Sequence, residues 1–226
     1  MKRLLIIPAR IGSKRIIKKN IKLFLKKPII NYSIKTAKLT NLFDKIHIST
    51  DSKIIKKIVE KQKIKVDFLR SKDLSGDKVG LLDVFKFVIK KYKQLGFNFD
   101  EIWFLTPCSP LIEVKDLIKA SIFFKKNRTK AMLAVAENSP PIQWSFEIKT
   151  KNQLKPLFKN FLKYRSQDIP KTYYDTGTFG AFKSSVLDKK SLVKYSGFII
   201  PKYKGIDIDT MEDFEYAKKL IKNVWV

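Results

Sequence analysis

Apolar residues gather in short β-type runs at Arg3–Pro8, Lys45–Ser49, 65–69, Glu101–Leu105 and 130–136. Between these runs lie longer segments with apolar positions three and four apart, at 28–39, 53–62, 79–94 and Val114–Lys126. Such alternation predicts strands joined by crossover helices in a mostly parallel sheet. Pro28 suits a first helical position, and Asp51-Ser52 suits a cap for the helix that begins at 53. The prediction is a doubly wound α/β core through about residue 136.

The rhythm breaks over 137–175, where Pro140-Pro141 precedes two short β-like runs, 144–149 and 153–157, and a polar stretch. This segment reads as an excursion from the core, which the chain rejoins through strands at 178–182 and 197–200 and a terminal helix at 212–223. Residues 1–226 are therefore expected to form a single domain with one excursion. Trp103, Trp144 and Trp225 are assigned to packing in the core, the excursion and the tail respectively.

Composition narrows the function classes. A chain of 226 residues, 44% hydrophobic, can bury a core without disulfides or structural metals. One cysteine, Cys108, and one histidine, His47, exclude an internal disulfide and a structural zinc site, and give no basis for a Cys–His catalytic pair. No run reaches the roughly 20 apolar residues of a membrane span, and Met1-Lys2-Arg3 leads directly into a strand. A cytoplasmic location with no membrane partner is the expectation.

The net charge of +27 raises the alternative of a basic nucleic-acid-binding protein. Lysine recurs along nearly every segment, however, instead of collecting in one stripe with stacking aromatics. No specific nucleic-acid partner is expected, and the positive field serves as well to attract a small polyanion.

The loop after the first run, Ala9-Arg-Ile-Gly-Ser-Lys-Arg-Ile-Ile-Lys-Lys-Asn20, holds that candidate chemistry. Gly12 permits close backbone approach, Ser13 donates to phosphate oxygens, and Arg10, Lys14, Arg15, Lys18 and Lys19 supply charge. Neither a P-loop nor a Gly-x-Gly-x-x-Gly turn is present. The loop after Glu101–Leu105, residues 106–111, would face the same crevice at the carboxyl end of the sheet, where ligands bind in such folds. Near the far end, Asp207 and Asp209 are separated by one residue. In extended backbone their carboxylates share a side, which suits either a Mg²⁺ site or, for Asp209, the cap of the next helix.

The loop resembles the N-terminal signature of the acylneuraminate cytidylyltransferase family, Ala-Arg-x-x-Ser-Lys-x-x-x-x-Lys-Asn, matched by Ala9, Arg10, Ser13, Lys14, Lys19 and Asn20. Arg70, Leu74 and Asp77 are similar to the family's Arg-Pro-x-x-Leu-x-x-Asp segment, although Lys78, Val79, Gly80 and Leu81 stand where small or hydroxyl residues are common. Leu105-Thr-Pro-Cys-Ser-Pro-Leu111 resembles its Leu-Gln-Pro-Thr-Ser-Pro-Leu, with Thr106 in place of Gln. Asp207-Ile-Asp-Thr210 is also a family signature. Arg165-Ser-Gln-Asp168 and Tyr173-Tyr-Asp-Thr-Gly177 look like the subgroup acting on pseudaminic acid, with Tyr174 where that subgroup has His.

The resemblance implies a nucleotide-diphospho-sugar transferase-like fold and a homodimer whose excursion packs on the partner. The implied reaction transfers CMP from CTP to the anomeric hydroxyl of a nine-carbon 2-keto sugar acid, with release of pyrophosphate. Pseudaminic acid is the favoured acceptor, and N-acetylneuraminate, legionaminate and octulosonate are alternatives. Arg10, Lys14, Lys19 and Asp209 would be catalytic. Arg10, Ser13, Lys14, Lys19, Asn20, Arg70 and Asp77 would bind CTP, and Asp207 and Asp209 would hold Mg²⁺. Thr106, Ser109, Arg165, Gln167, Asp168, Tyr174 and Asp175 would contact the sugar.

Overall fold

A computed structural model describes residues 1–187 and 194–221. The elements run β1 (Arg3–Pro8), β2 (Leu23–Phe24), β3 (Lys27–Pro28), α1 (Ile30–Leu39), β4 (Lys45–Ser49), α2 (Lys53–Glu60), α3 (Leu81–Gln94), β5 (Glu101–Leu105) and α4 (Val114–Lys126). They continue with β6 (Ala131–Glu137), β7 (Phe146–Ile148), β8 (Leu154–Pro156), β9 (Tyr173–Lys183), α5 (Ser184–Leu187), β10 (Ser196–Ile199) and α6 (Met211–Ile221). Six strands form one sheet in the order β10-β6-β9-β5-β1-β4. β1 runs parallel to β4 and β5, and β10 parallel to β6, whereas β9 is antiparallel to both of its neighbours.

Period-two alternation decides which side chains enter which layer. Leu5 and Ile7 of β1 join α1, α2 and α4 in one core, and Leu4 and Ile6 join Phe85, Val88 and Tyr92 of α3 in the other. A third cluster packs α6 through Phe214, Ala217 and Ile221 against Ile16, Phe24, Cys108 and Ile208. It thereby fastens the far end of the chain to the loop after β1. Gly180 is required where β9 crosses the sheet: a Cβ there would lie 2.5 Å from the Phe104 ring and 2.6 Å from the Met132 carbonyl oxygen.

The run at 65–69 is not a strand. Val66 is buried, and the Arg70 N–H donates to the Thr50 carbonyl at 2.8 Å, but β4 already forms the edge of the sheet and no ladder joins the two. Its apolar alternation records one-sided burial without pairing. The strand expected at 178–182 is the second half of the longer β9, and the register of β6 with β9 shifts between Leu133 and Val135. The runs at 144–149 and 153–157 form the separate hairpin β7–β8. Trp103 is fully buried, and Trp144 donates to the Phe161 carbonyl within the excursion. Trp225 and the last residues of the terminal helix lie outside the described residues.

Candidate functional site

A crevice of about 290 Å³ opens at the carboxyl end of the sheet. The loop after β1 forms one wall, Asp207 and Asp209 another, and Arg70 to Leu81 a third, with Thr106, Ser109 and residues 176–178 at the base. Arg10, Ser13, Lys14, Lys19, Asn20, Arg70 and Asp77, which are far apart in the chain, all line it.

The loop's shape follows from local contacts. The Asn20 amide is buried, donates to the Arg10 carbonyl at 2.8 Å and accepts from the Cys108 thiol at 3.4 Å. Both ends of that side chain therefore brace the loop. Ile16 turns inward to the third core, which leaves its cationic neighbours facing the crevice. Cys108 sits in the same apolar packing; burial pushes its thiol up to about 12, so it is no nucleophile at neutral pH. His47 lies on β4 in the core and does not line the crevice.

Cations and carboxylates are interleaved across the crevice. Asp77 accepts from Arg10 at 2.5 Å and pairs with Lys14 at 2.6 Å, and these hydrogen bonds hold its carboxyl below the ordinary carboxylate range. Asp209 meets Lys19 at 2.9 Å through Oδ1 and Arg15 at 2.7 Å through Oδ2. Burial would raise the Asp209 carboxyl, but Lys19 and Arg15 outweigh it and hold it low. Burial, reinforced by the adjacent Asp209 charge, raises that of Asp207.

Ile208 is buried between them and both aspartates line the crevice, as their spacing directs, although this segment lies outside the sheet. The capping role weighed for Asp209 belongs to its neighbours. The Asp213 N–H donates to Thr210 Oγ1 at 3.2 Å, and the Thr210 N–H donates to the Asp213 carboxylate at 2.8 Å, which is a capping box. Two carboxylates beside a cationic loop suit Mg²⁺, which takes few protein ligands and completes its shell with water and ligand oxygens. Among the described residues no group of three or more His, Cys, Asp or Glu could hold a metal without such help.

Arg70 is 7% exposed at the crevice wall, and its Nε is buried with no hydrogen-bond partner. Burial lowers its pKa from the usual arginine value. A planar donor left in that state is suited to a planar polar ligand. At the base, Thr106 Oγ1 and Ser109 Oγ lie 2.5 Å apart, and the Thr106 N–H donates to the Thr178 carbonyl at 2.7 Å. Val79 and Leu81 also line the crevice.

The structure does not bring the other expected sugar contacts to this crevice within one chain. Arg165 is exposed on the excursion and pairs with Asp168 at 2.8 Å, and Gln167 is exposed between them. Tyr174 borders a separate depression beside Pro140 and Pro141, and Asp175 accepts from the Gly177 N–H.

Sequence reasoning missed three features. The first is Thr176-Gly177-Thr178, which the β9 irregularity turns into the crevice floor, with Gly177 at φ +63°. The second is the Arg15 pairing. The third is Lys204, buried and bonded to Asp116 at 2.6 and 2.9 Å and to Glu113. The Gly177 turn was readable as a glycine beside Asp175 and Thr176 just before the expected strand, whereas nothing in a lysine-rich sequence marks Lys204 as buried.

A family model described as cytidylyltransferase matches residues 4–225. The pseudaminic acid cytidylyltransferase of Campylobacter jejuni subsp. jejuni is 37% identical over 226 residues, covering 98% of this chain and 97% of that protein. The CMP-N,N'-diacetyllegionaminic acid synthase of Legionella pneumophila is 29% identical, with 98% of this chain and 97% of that protein covered. Among solved structures, CMP:2-keto-3-deoxy-manno-octonic acid synthetase complexed with CTP superposes with a TM-score of 0.75 over 99% of this chain and all of that one. At 16% identity it attests the fold alone. On the family match over nearly its whole length, the chain belongs to the cytidylyltransferase family.

Proposed function

We propose that the protein transfers CMP from CTP to the anomeric hydroxyl of a nonulosonic acid, with pseudaminic acid as its acceptor. The observation that carries this reading is the crevice wall of four cations, Arg10, Lys14, Arg15 and Lys19, set opposite Asp207 and Asp209. The full-length similarity to the Campylobacter pseudaminic acid enzyme supports the choice of acceptor.

In this reading Arg10, Lys14 and Lys19 receive the triphosphate, with Ser13 donating to a phosphate oxygen and Arg70 meeting the cytosine edge. The acceptor hydroxyl oxygen bonds to the α-phosphorus and releases its proton to solvent, the bond to the bridging α–β oxygen breaks, and pyrophosphate leaves. Negative charge gathers on the leaving oxygens, so fixed cations at that end lower the barrier. Asp207 and Asp209 would hold Mg²⁺, which would supply Lewis-acid stabilisation of phosphate charge. Thr106 and Ser109 border the acceptor end of the crevice.

The excursion is read as the interface of a homodimer. Phe146, Ile148, Leu154, Leu157 and Phe158 are exposed there on a segment without a core of its own, and Arg165, Gln167 and Asp168 do not line their own chain's crevice. A second copy would cover that apolar surface. It would receive Arg165 as the bidentate partner of a sugar carboxylate. Light scattering at micromolar concentration should give a dimer; a fully active monomer would rule this arrangement out.

The reaction is tested by pyrophosphate release from CTP with pseudaminic, legionaminic, N-acetylneuraminic and octulosonic acids. Release fastest with pseudaminic acid is expected. Absence of release with all four would overturn the reading.

A further inference from the structure

We propose that Arg15 and Lys19 compete with a divalent cation for both oxygens of Asp209 in the nucleotide-free protein, so that the metal pair binds a cation weakly until a polyphosphate draws those two side chains away. A divalent cation needs oxygen lone pairs and is repelled by cations already seated on them. Oδ1 of Asp209 is taken by Lys19 at 2.9 Å and Oδ2 by Arg15 at 2.7 Å. Lys19 is anchored further by donating to the Ile208 carbonyl at 2.7 Å.

Asp77 engages Arg10 and Lys14 in the same manner, so all four of these loop cations rest on carboxylates. A triphosphate offers the same cations stronger acceptors. Transferring them frees Asp209 as phosphate oxygens arrive to complete a metal shell. The Arg15 side chain is 70% exposed, and an ion pair of that kind is weak enough to exchange readily. Metal and nucleotide then strengthen each other's binding, since coupling between two ligands is reciprocal. Arg15 occupies a position that the family-like signature leaves open.

The inference rests on Asp207 and Asp209 being the metal pair, and the experiment separates the two claims. Mn²⁺ serves as the probe, with free ion counted by electron paramagnetic resonance in nucleotide-free protein. Arg15→Met should tighten Mn²⁺ binding about fivefold, the scale of one removed charge near a partly exposed site. Arg15→Lys should stay near wild type, and Asp209→Asn should lose the binding. Unchanged affinity in Arg15→Met with loss in Asp209→Asn would overturn the gate and leave the metal pair standing. Unchanged affinity in Asp209→Asn would overturn both. Circular dichroism of each variant confirms that the fold is retained.

Discussion

The crevice loop and the excursion are both rich in cations, yet they solve opposite problems. In the loop after β1, Arg10, Lys14, Arg15 and Lys19 each meet a carboxylate from a distant part of the chain, and Asn20 and Ile16 fix the backbone from beneath. In the excursion, Arg165 finds only Asp168 three residues away, and large apolar side chains face solvent. One region is complete within the chain, and the other has the composition of a surface that awaits a second body. On the proposed reading, the nucleotide site is preorganised within one chain, and the acceptor site would be finished by a second copy.

The largest expected effect tests the completed region. Asp209→Asn keeps size and removes the charge, and kcat should fall on the order of 10²-fold or more, the usual scale for losing a group that stabilises transition-state charge. Thermal unfolding should barely change, because Thr210 and Asp213, not Asp209, cap α6. Near-normal turnover would show that the loop cations work without the acidic wall.

A second effect concerns what holds that wall. Lys204 lies three residues before Asp207 and is tied to Glu113 and Asp116 at the start of α4; Gly205 packs so closely that a Cβ would stand 2.5 Å from Thr176 Cγ2. Burial alone would lower the Lys204 pKa, but the hydrogen bonds to Asp116 and Glu113 prevail and raise it. Lys204→Met leaves two carboxylates short of their cation and should cost about 2 kcal/mol, below the full figure for a buried pair because Glu113 keeps some solvent contact. Chemical denaturation measures it, and no loss would mean that the wall is held by packing alone.

The sheet beneath the crevice carries its own pH signature. Tyr92 donates to Asp67 at 2.7 Å, so the 3.1 Å contact to His47 Nδ1 has the imidazole as donor, and Nε2 is buried with no partner. Burial holds the His47 pKa down at about 3, against the Asp67 charge that would raise it and with Lys45 adding to the depression. A histidine depressed in the folded state contributes stability that is present above its unfolded pKa, near 6.5, and lost as pH falls toward about 3. Unfolding free energy should drop by about 1.4 kcal/mol per pH unit between pH 6 and 5 from this group. His47→Gln should flatten that slope; an unchanged slope would assign it elsewhere.

Legibility in the sequence followed the same division. The short unbroken apolar runs at Arg3–Pro8 and Glu101–Leu105 read as strands because a strand packed on both faces is apolar throughout, and the basic loop with its distant acidic pair was readable because those residue types at those spacings serve one chemistry. Residues 65–69 misled because one-sided burial beyond an edge strand leaves the same mark as pairing. The partner choices, Arg15 to Asp209 and Lys204 to Asp116, depend on three-dimensional proximity, which a chain with lysine on nearly every surface does not announce. The expected acceptor contacts were named from pattern, yet Arg165 does not line the crevice that Thr106 lines.

The smallest effect tests the incomplete region directly. If Arg165 reaches a sugar carboxylate from a second copy, Arg165→Ala should raise the acceptor KM about tenfold, the scale of one lost charge-assisted hydrogen-bonded contact. The KM for CTP and the thermal stabilisation by CTP should be unchanged, since no residue of the nucleotide crevice is touched. The variant should fold normally, because Arg165 is exposed and, among the described residues, its guanidinium bonds to Asp168, itself exposed. Mixing Arg165→Ala with Asp209→Asn sharpens the test: each is impaired alone, but a mixed dimer would place one intact arm over one intact crevice and recover part of the wild-type rate. An additive rate with no recovery, or a KM shift for CTP equal to that for the acceptor, would place Arg165 in its own chain's nucleotide site and dissolve the distinction between a finished crevice and an unfinished arm.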